Sequence, residues 1–276
     1  MTTIQGDAEA VGVHRARRRV GRSFRDEYLA ELIKLRAQRH VVWVTLAAGL
    51  CGIVFSYMTC TSDVAHWNRF PQQRSFIDPV AGMFSGLTLS QILISTVGAL
   101  MATMEYSSGM VRPSLVACPR RGVFLSAKLA AVTSYGFIAG AVLTVTSSAF
   151  GYVALGHGNT GLSVGLASVG LHMLAVSLYI AAVAALGASL GFLLRSGPGA
   201  IIALFALEFL LPQVLRQTTG AGEALSRIMP GTALRAFGST VPWSGSPSTT
   251  EAVLVTVLWP LAVCAVSLMV LYRRDA

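Results

Sequence analysis

Charge is scarce in this chain. Aspartate, glutamate, lysine and arginine make up 12% of its 276 residues, about half the roughly 25% of an ordinary soluble domain, which excludes a fully solvated globular surface. Lysine is rarer still: of 21 cations only Lys34 and Lys128 are lysines. The four cysteines, Cys51, Cys60, Cys118 and Cys264, have no paired spacing, so neither a disulfide framework nor a thiolate metal site is implied. The five histidines, His14, His40, His66, His157 and His172, lie too far apart in sequence to suggest a shared metal. No G-x-x-x-x-G-K-[ST] occurs, and no Gly-rich turn leads from a strand into a helix, so any nucleotide site belongs to another polypeptide. H-E-x-x-H is missing too. The basic stretch 1–22 is not followed directly by a short apolar run with a small-residue cleavage site, so no cleaved signal peptide is read.

What the chain has instead is apolar length. It is 54% hydrophobic with a mean hydropathy of +0.64. A helix needs about 20 residues to cross the hydrocarbon core, and six runs qualify: 41–60, 83–104, 129–152, 166–194, 199–216 and 252–272. Between Lys128 and Arg195 there is no charged residue, room for two spans joined at Gly156-His-Gly-Asn-Thr-Gly161. The expected fold is an all-α membrane protein of six transmembrane helices. The formal charge of +9 follows membrane sidedness and does not form a nucleic-acid-binding face. With the N-terminus inside, sixteen cations fall on the inner side and five, Arg69, Arg74, Arg216, Arg227 and Arg235, on the outer. The positive-inside rule then puts both termini in the cytoplasm. The preference for arginine over lysine is a compositional pointer to a GC-rich bacterial genome, and the expected location is the bacterial inner membrane.

The chain divides into a basic, disordered cytoplasmic tail (1–22), an amphipathic interfacial helix (23–40) and a six-span domain (41–276). In the interfacial helix Ser23 and Asp26 have the spacing of a capping box, and the acids come early and the cations late. Tyr28, Leu32 and Leu35, with Leu29 and Ile33, predict an apolar stripe opposite a charged face. Residues 61–81 carry Trp67, Phe70 and Phe76 and read as an outer interfacial loop. Gly136 with Gly140, and Gly187 with Gly191, have spacings that let helix backbones approach closely. Arg195-Ser-Gly-Pro-Gly199 reads as a tight turn, and Pro212 breaks the fifth span. In the outer region 217–250, Glu223–Phe237 reads as two short helices parted at Pro230, resting in the membrane or re-entering it. Ser248 and Glu251 then cap the last span.

A long polar interruption parts the second and third spans, 105–128, holding Arg112, Arg120, Arg121 and Lys128 against a single acid, Glu105. Gly109, Pro113, Pro119 and Gly122 predict a short helix bounded by turns. With the N-terminal helix, the six spans and the proline-broken region before the last one, this pattern resembles the type-2 ABC exporter permeases. The resemblance covers the chain from about residue 23. Its most specific part is Glu105-Tyr-Ser-Ser-Gly-Met-Val-Arg112 followed by Pro119-Arg-Arg121 and Lys128; Met229-Pro-Gly-Thr-Ala-Leu234 is similar more loosely. It implies a half-transporter, paired with a second permease subunit and resting on a separate ATP-binding-cassette subunit that carries ATP and Mg. This chain would be no enzyme and hold no cofactor. Segment 105–122 would be the coupling helix, with Glu105, Ser107, Gly109 and Arg112 facing the ATPase or shaping the helix. Arg120, Arg121 and Lys128 would anchor its return to the membrane.

Within the spans Glu208 stands alone as an acid, at a depth where a charge costs about 2.5–3.5 kcal/mol on insertion scales. It is either a pathway or gating group or a structural hydrogen-bonding one. His172 and Gln91 are further pathway candidates. The spans otherwise offer Leu, Val, Ala, Phe and Met, which suits a hydrophobic or amphipathic cargo, drug-like, lipid-like or peptide, better than a sugar or a metal ion. Self-protection against an antimicrobial peptide or antibiotic fits equally well. Two readings of other classes stay open: a non-transporting receptor or scaffold that binds its partner through 105–122, and an intramembrane enzyme built on Glu208 with His172.

Overall fold

Backbone N–H and C=O groups find no water in hydrocarbon, so a chain this apolar must satisfy them within its own segments. The computed structural model does so with helices throughout. It describes residues 24–109, 121–156, 165–218, 220–241 and 245–274, and among these there is no strand. Six helical stretches are long and apolar enough to cross a membrane: Arg39–Arg69, Pro79–Ser107, Gly122–Gly156, Val169–Leu194, Gly197–Arg216 and Thr249–Val270. The protein is a multi-pass helical membrane protein.

The N-terminal helix α1 (Phe24–Ala37) is followed by α2 (Arg39–Arg69) and a 3-10 turn at Pro71–Phe76. The second span is broken into α3 (Pro79–Phe84) and α4 (Leu87–Ser107). α5 (Arg121–Gly156) and α6 (Leu166–Leu194) follow. The fifth span comprises α7 (Gly197–Phe205), a π turn (Ala206–Leu210) and α8 (Leu211–Arg216). Two short helices, α9 (Ala221–Arg227) and α10 (Pro230–Phe237), precede α11 (Thr249–Arg274). Successive spans alternate in direction, so α1 and the last turns of α11 share one end of the bundle, the terminal end; α3, α9 and α10 lie at the other, the distal end.

The spans are longer than composition alone marks them. α2 absorbs Thr61–Arg69, expected as loop, because that stretch has no Gly or Pro and the helix stops only before Pro71. α5 likewise starts at Arg121, eight residues ahead of the expected 129. At the start of α3, Asp78 caps the backbone N–H groups of Val80 and Ala81 at 3.0 and 3.1 Å, with Pro79 in the first turn. The capping pair expected at the last span is present: Ser248 N–H donates to Glu251 Oε2 at 2.7 Å and Glu251 N–H to Ser248 Oγ at 3.3 Å. The turn at Arg195–Gly199 is present as well, with Arg195 in the left-handed region at φ 52° and the Ser196 hydroxyl capping α7.

The bundle is centred on α4 and α6. In their most apolar stretches 61% and 50% of residues are buried, against 22% for the first and fifth spans and 11% for the sixth. Small residues permit this. A side chain at Gly98 would strike the backbone of Ala184, and one at Gly187 the backbone of Ser95. Gly136 and Gly140 bring α5 as close to α6, where an added Cβ would lie 2.7 Å from Ala184 Cβ and 3.1 Å from Ile180 Cβ. The two glycine pairs singled out by spacing are therefore the contacts of α6 with α5 and α4.

α1 departs from expectation in a telling way. Its inward face is Glu27, Glu31 and Leu35, all buried, while Leu29 and Ile33 point outward at 45% and 68% exposure. The Glu31 carboxylate turns in because α5 presents a buried cation to it.

Candidate functional site

That cation is Lys128, two turns into α5, 1% exposed and flanked by Phe124 and Leu125. Its ammonium lies 2.9 Å from Glu31 Oε2 on α1 and 2.7 Å from Glu105 Oε1 at the end of α4, and donates to the Met101 carbonyl at 3.4 Å. It also stands 5.7 Å from the centre of the Phe124 ring. Lys34, one turn on from Glu31, reaches the same two acids at 2.5 and 3.1 Å. Two lysines and two glutamates thus alternate in a neutral four-membered ring. Burial draws the Lys34 ammonium down, but hydrogen bonds and charge from Glu31 and Glu105 outweigh it and hold its pKa above the usual lysine value.

These are the only two lysines in the chain, and the geometry supplies a reason. An ammonium is a compact charge on a slender stem, and Lys128 sets it against two carboxylates and a backbone carbonyl from two helices; a planar guanidinium fork needs a wider slot. Buried ion pairs add little net stability, but removing one partner costs about 3–5 kcal/mol because a charge is left uncompensated. The ring therefore fixes where α1 docks. It ties α1 to the last turn of α4 and the early turns of α5, the two helices that flank 110–120. Tyr28 on α1 adds a hydrogen bond to Ser134 Oγ at 3.0 Å on α5.

The residues expected to meet an ATPase divide accordingly. Glu105 is buried in the ring. The Ser107 hydroxyl donates to the Met104 carbonyl at 3.1 Å on the exposed side of α4. Gly109 takes φ +70° just past the end of α4, with nothing within 4 Å of a side chain placed there. Arg112 and Arg120 lie outside the described residues, as do the body of the expected coupling helix and Ser23 of the α1 capping box. Arg121 is the first residue of α5. Lys128, expected at the membrane return, belongs to the interior.

Glu208 sits in the π turn of the fifth span, 3% exposed, with the Ser95 side chain of α4 against its carboxylate and no further hydrogen-bond partner among the described residues. The turn has a local cause. Pro212 has no N–H to give the Glu208 carbonyl, Leu211 N–H bonds to Ala206 five residues back, and Gly231 of α10 packs directly on the Glu208 backbone. Gln91 on α4 is 1% exposed, and its carbonyl oxygen is also unpartnered among the described residues. His172 is used differently: Nδ1 donates to the Phe237 carbonyl at 2.5 Å, holding the end of α10. The Tyr179 hydroxyl holds its start, donating to Pro230 O at 3.1 Å. Tyr179, which lies beside Glu208, is seven residues from His172, about 10 Å along the helix. Glu208 and His172 are thus not brought together as a catalytic pair.

One motif escapes the reading above. Gly161-Leu-Ser-Val-Gly165 has the form G-x-S-x-G, whose nucleophilic serine requires a strand-to-helix turn. Ser163 lies outside the described residues, and the helices flanking it are α5 and α6. Among the described residues no group of three or more His, Cys, Asp or Glu is placed to hold a metal ion.

Comparison with family profiles, with curated proteins and with solved structures finds no match for this chain. The class that the fold defines is a six-span helical membrane protein whose N-terminal helix is docked by buried charge.

Proposed function

We propose that this chain is the membrane subunit of an ATP-driven exporter of the type-2 ABC kind, working with a second permease subunit and a separate ATPase that binds ATP and Mg. The observation that carries the reading is the lysine–glutamate ring. ATP-driven closure of a soluble partner moves a membrane helix only through an element that is rigidly seated, and the ring seats α1 against the roots of α4 and α5 on either side of 110–120. Ser107, Gly109, Arg112, Arg120 and Arg121 are the ATPase contacts of this reading, with Glu105 buried in the ring at the end of α4. The charge split of sixteen to five supports a cytoplasmic terminal end, in the bacterial inner membrane. The apolar spans favour a hydrophobic or amphipathic cargo. Glu208, buried beside Ser95 where the fifth span is distorted, is the gating residue.

The test is reconstitution of the full chain in liposomes with the ATPase encoded beside it, measuring ATP hydrolysis and efflux of a fluorescent amphiphile. Arg112→Ala is expected to abolish stimulation of the ATPase by the membrane subunit. Glu208→Gln is expected to leave the complex intact and change cargo-stimulated hydrolysis. A chain that captures no ATP-binding subunit, or one whose partner is indifferent to Arg112→Ala, refutes the reading and leaves a receptor or scaffold.

A further inference from the structure

At the distal end α2, α3, α8 and α10 line a half-open cavity of about 1050 Å3. Its charges are segregated by element: Asp63 and His66 come from α2, Arg216 and Arg235 from α8 and α10. Asp78, the other acid on its wall, is already spent. Besides capping α3 it accepts from the backbone N–H groups of Thr240 and Val241 at 2.5 and 2.8 Å and from the Thr240 hydroxyl at 2.9 Å. Asp63 is different: among the described residues its carboxylate makes no hydrogen bond or ion pair, and the charged neighbours that act on it are His66 and Asp78. Gly82 makes room for it, since a Cβ there would lie 2.6 Å from Asp63 Oδ2. Arg235 likewise makes no ion pair among the described residues. Burial lowers its guanidinium pKa and the neighbouring charge of Arg216 lowers it further, the signature of two cations sharing one space.

A cavity with an unspent carboxylate on one element and a pair of guanidiniums on others matches a ligand carrying both charges. Its surroundings say what the rest of that ligand is. Phe76, on the wall, is 81% exposed, and Phe55 and Met58, one turn before the wall residues Thr59 and Ser62 on α2, are 47% and 61% exposed. The distal ends of membrane-spanning helices lie at headgroup depth. The volume is at the upper end of ordinary ligand pockets, roughly 300–1,000 Å3, which admits a headgroup with its glycerol. We propose that this cavity binds the head of a zwitterionic phospholipid with a primary amine, its phosphate held by Arg216 and Arg235 and its ammonium by Asp63. Arginine forks suit phosphate oxygens, and a primary ammonium donates to a carboxylate as a quaternary one cannot. The site does not depend on whether the chain exports anything.

The experiment is native mass spectrometry of the full chain in detergent, with phosphatidylethanolamine, phosphatidylcholine and phosphatidylglycerol of identical acyl chains. Phosphatidylethanolamine is expected to bind at least tenfold more tightly than either of the others. Asp63→Asn is expected to erase that preference while leaving phosphatidylglycerol binding unchanged, and Arg235→Gln to weaken all three, with Arg235→Lys retaining most of the affinity. Equal affinity of the unaltered protein for the three lipids overturns the proposal whatever the variants do. Equally tight binding of water-soluble phosphoethanolamine overturns the assignment to lipid.

Discussion

Replacing Lys128 with methionine keeps an unbranched side chain, one atom shorter, and deletes its charge. The variant leaves Glu31, whose side chain is fully buried, and Glu105, 9% exposed, facing one another with only Lys34, itself 41% exposed. The cost of stranding a buried charge is about 3–5 kcal/mol, which is roughly two to three and a half powers of ten in the docking equilibrium of α1. Hydrogen–deuterium exchange of the α1 amides in lipid nanodiscs reads this directly, as a loss of protection confined to residues 24–37. Neutralising the three buried members as Glu31→Gln, Lys128→Met, Glu105→Gln, which leaves only the partly exposed Lys34 charged, should return most of the protection, because the loss comes from uncompensated buried charge and not from a missing attraction. If Lys128→Met leaves α1 exchange within about threefold of the unaltered protein, the ring does not hold the helix. If the triple variant is no better than the single one, the electrostatic account is wrong.

Lys128→Arg is expected to lose α1 protection despite keeping the charge, since the guanidinium fork does not fit a slot between α1, α4 and α5 built for an ammonium; unchanged exchange would contradict this. Lys34 has a raised pKa in the folded protein. Its stabilising contribution is therefore complete below the ordinary lysine value of about 10.4 and lost only as pH climbs through the higher folded value. The difference in thermal midpoint between the unaltered protein and Lys34→Gln should hold constant from pH 7 to about 10 and shrink above it. Gly187→Ala places a methyl against the Ser95 backbone, which has nowhere to yield, whereas at Gly49 the nearest atom is Leu143 Cδ2 at 3.7 Å. Size-exclusion profiles should show Gly187→Ala aggregated or poorly expressed and Gly49→Ala normal.

The six spans were legible because each needs only length and apolarity. Both glycine pairs were legible because close backbone approach demands small residues at helical spacing. Span ends were not, since whether Thr61–Arg69 is loop or helix depends on the absence of a breaker more than on hydropathy. The ring was hidden for a different reason. On a helical wheel Glu27 and Glu31 read as the wet face of α1, and nothing local announces that Lys128, 97 residues further on, waits beneath them. The one available signal was compositional: two lysines among 21 cations mark two positions where arginine does not serve. His172 was visible as a polar residue in a span, but its role of holding Phe237 O depends on a helix whose position the sequence does not state.

The polar groups of this protein are arranged so that each end of the bundle is fastened to one inner pair of helices. At the terminal end the ring binds α1 to α4 through Glu105. At the distal end Tyr179 and His172 bind both ends of α10 to α6, and Gly231 presses α10 onto the π turn that carries Glu208. Between the two ends α4 and α6 run side by side with backbones in contact at Gly98 and Gly187, packing too tight to shear without breaking it. A push delivered to α4 beside Glu105 is therefore passed to α6, and α6 is fastened directly to the helix that packs on Glu208. Under the exporter function proposed above, such a path would link the motor to the gate. That path runs through the most buried pair of spans, while the first, fifth and sixth, with 22%, 22% and 11% of their apolar stretches buried, leave broad faces for lipid or a second subunit.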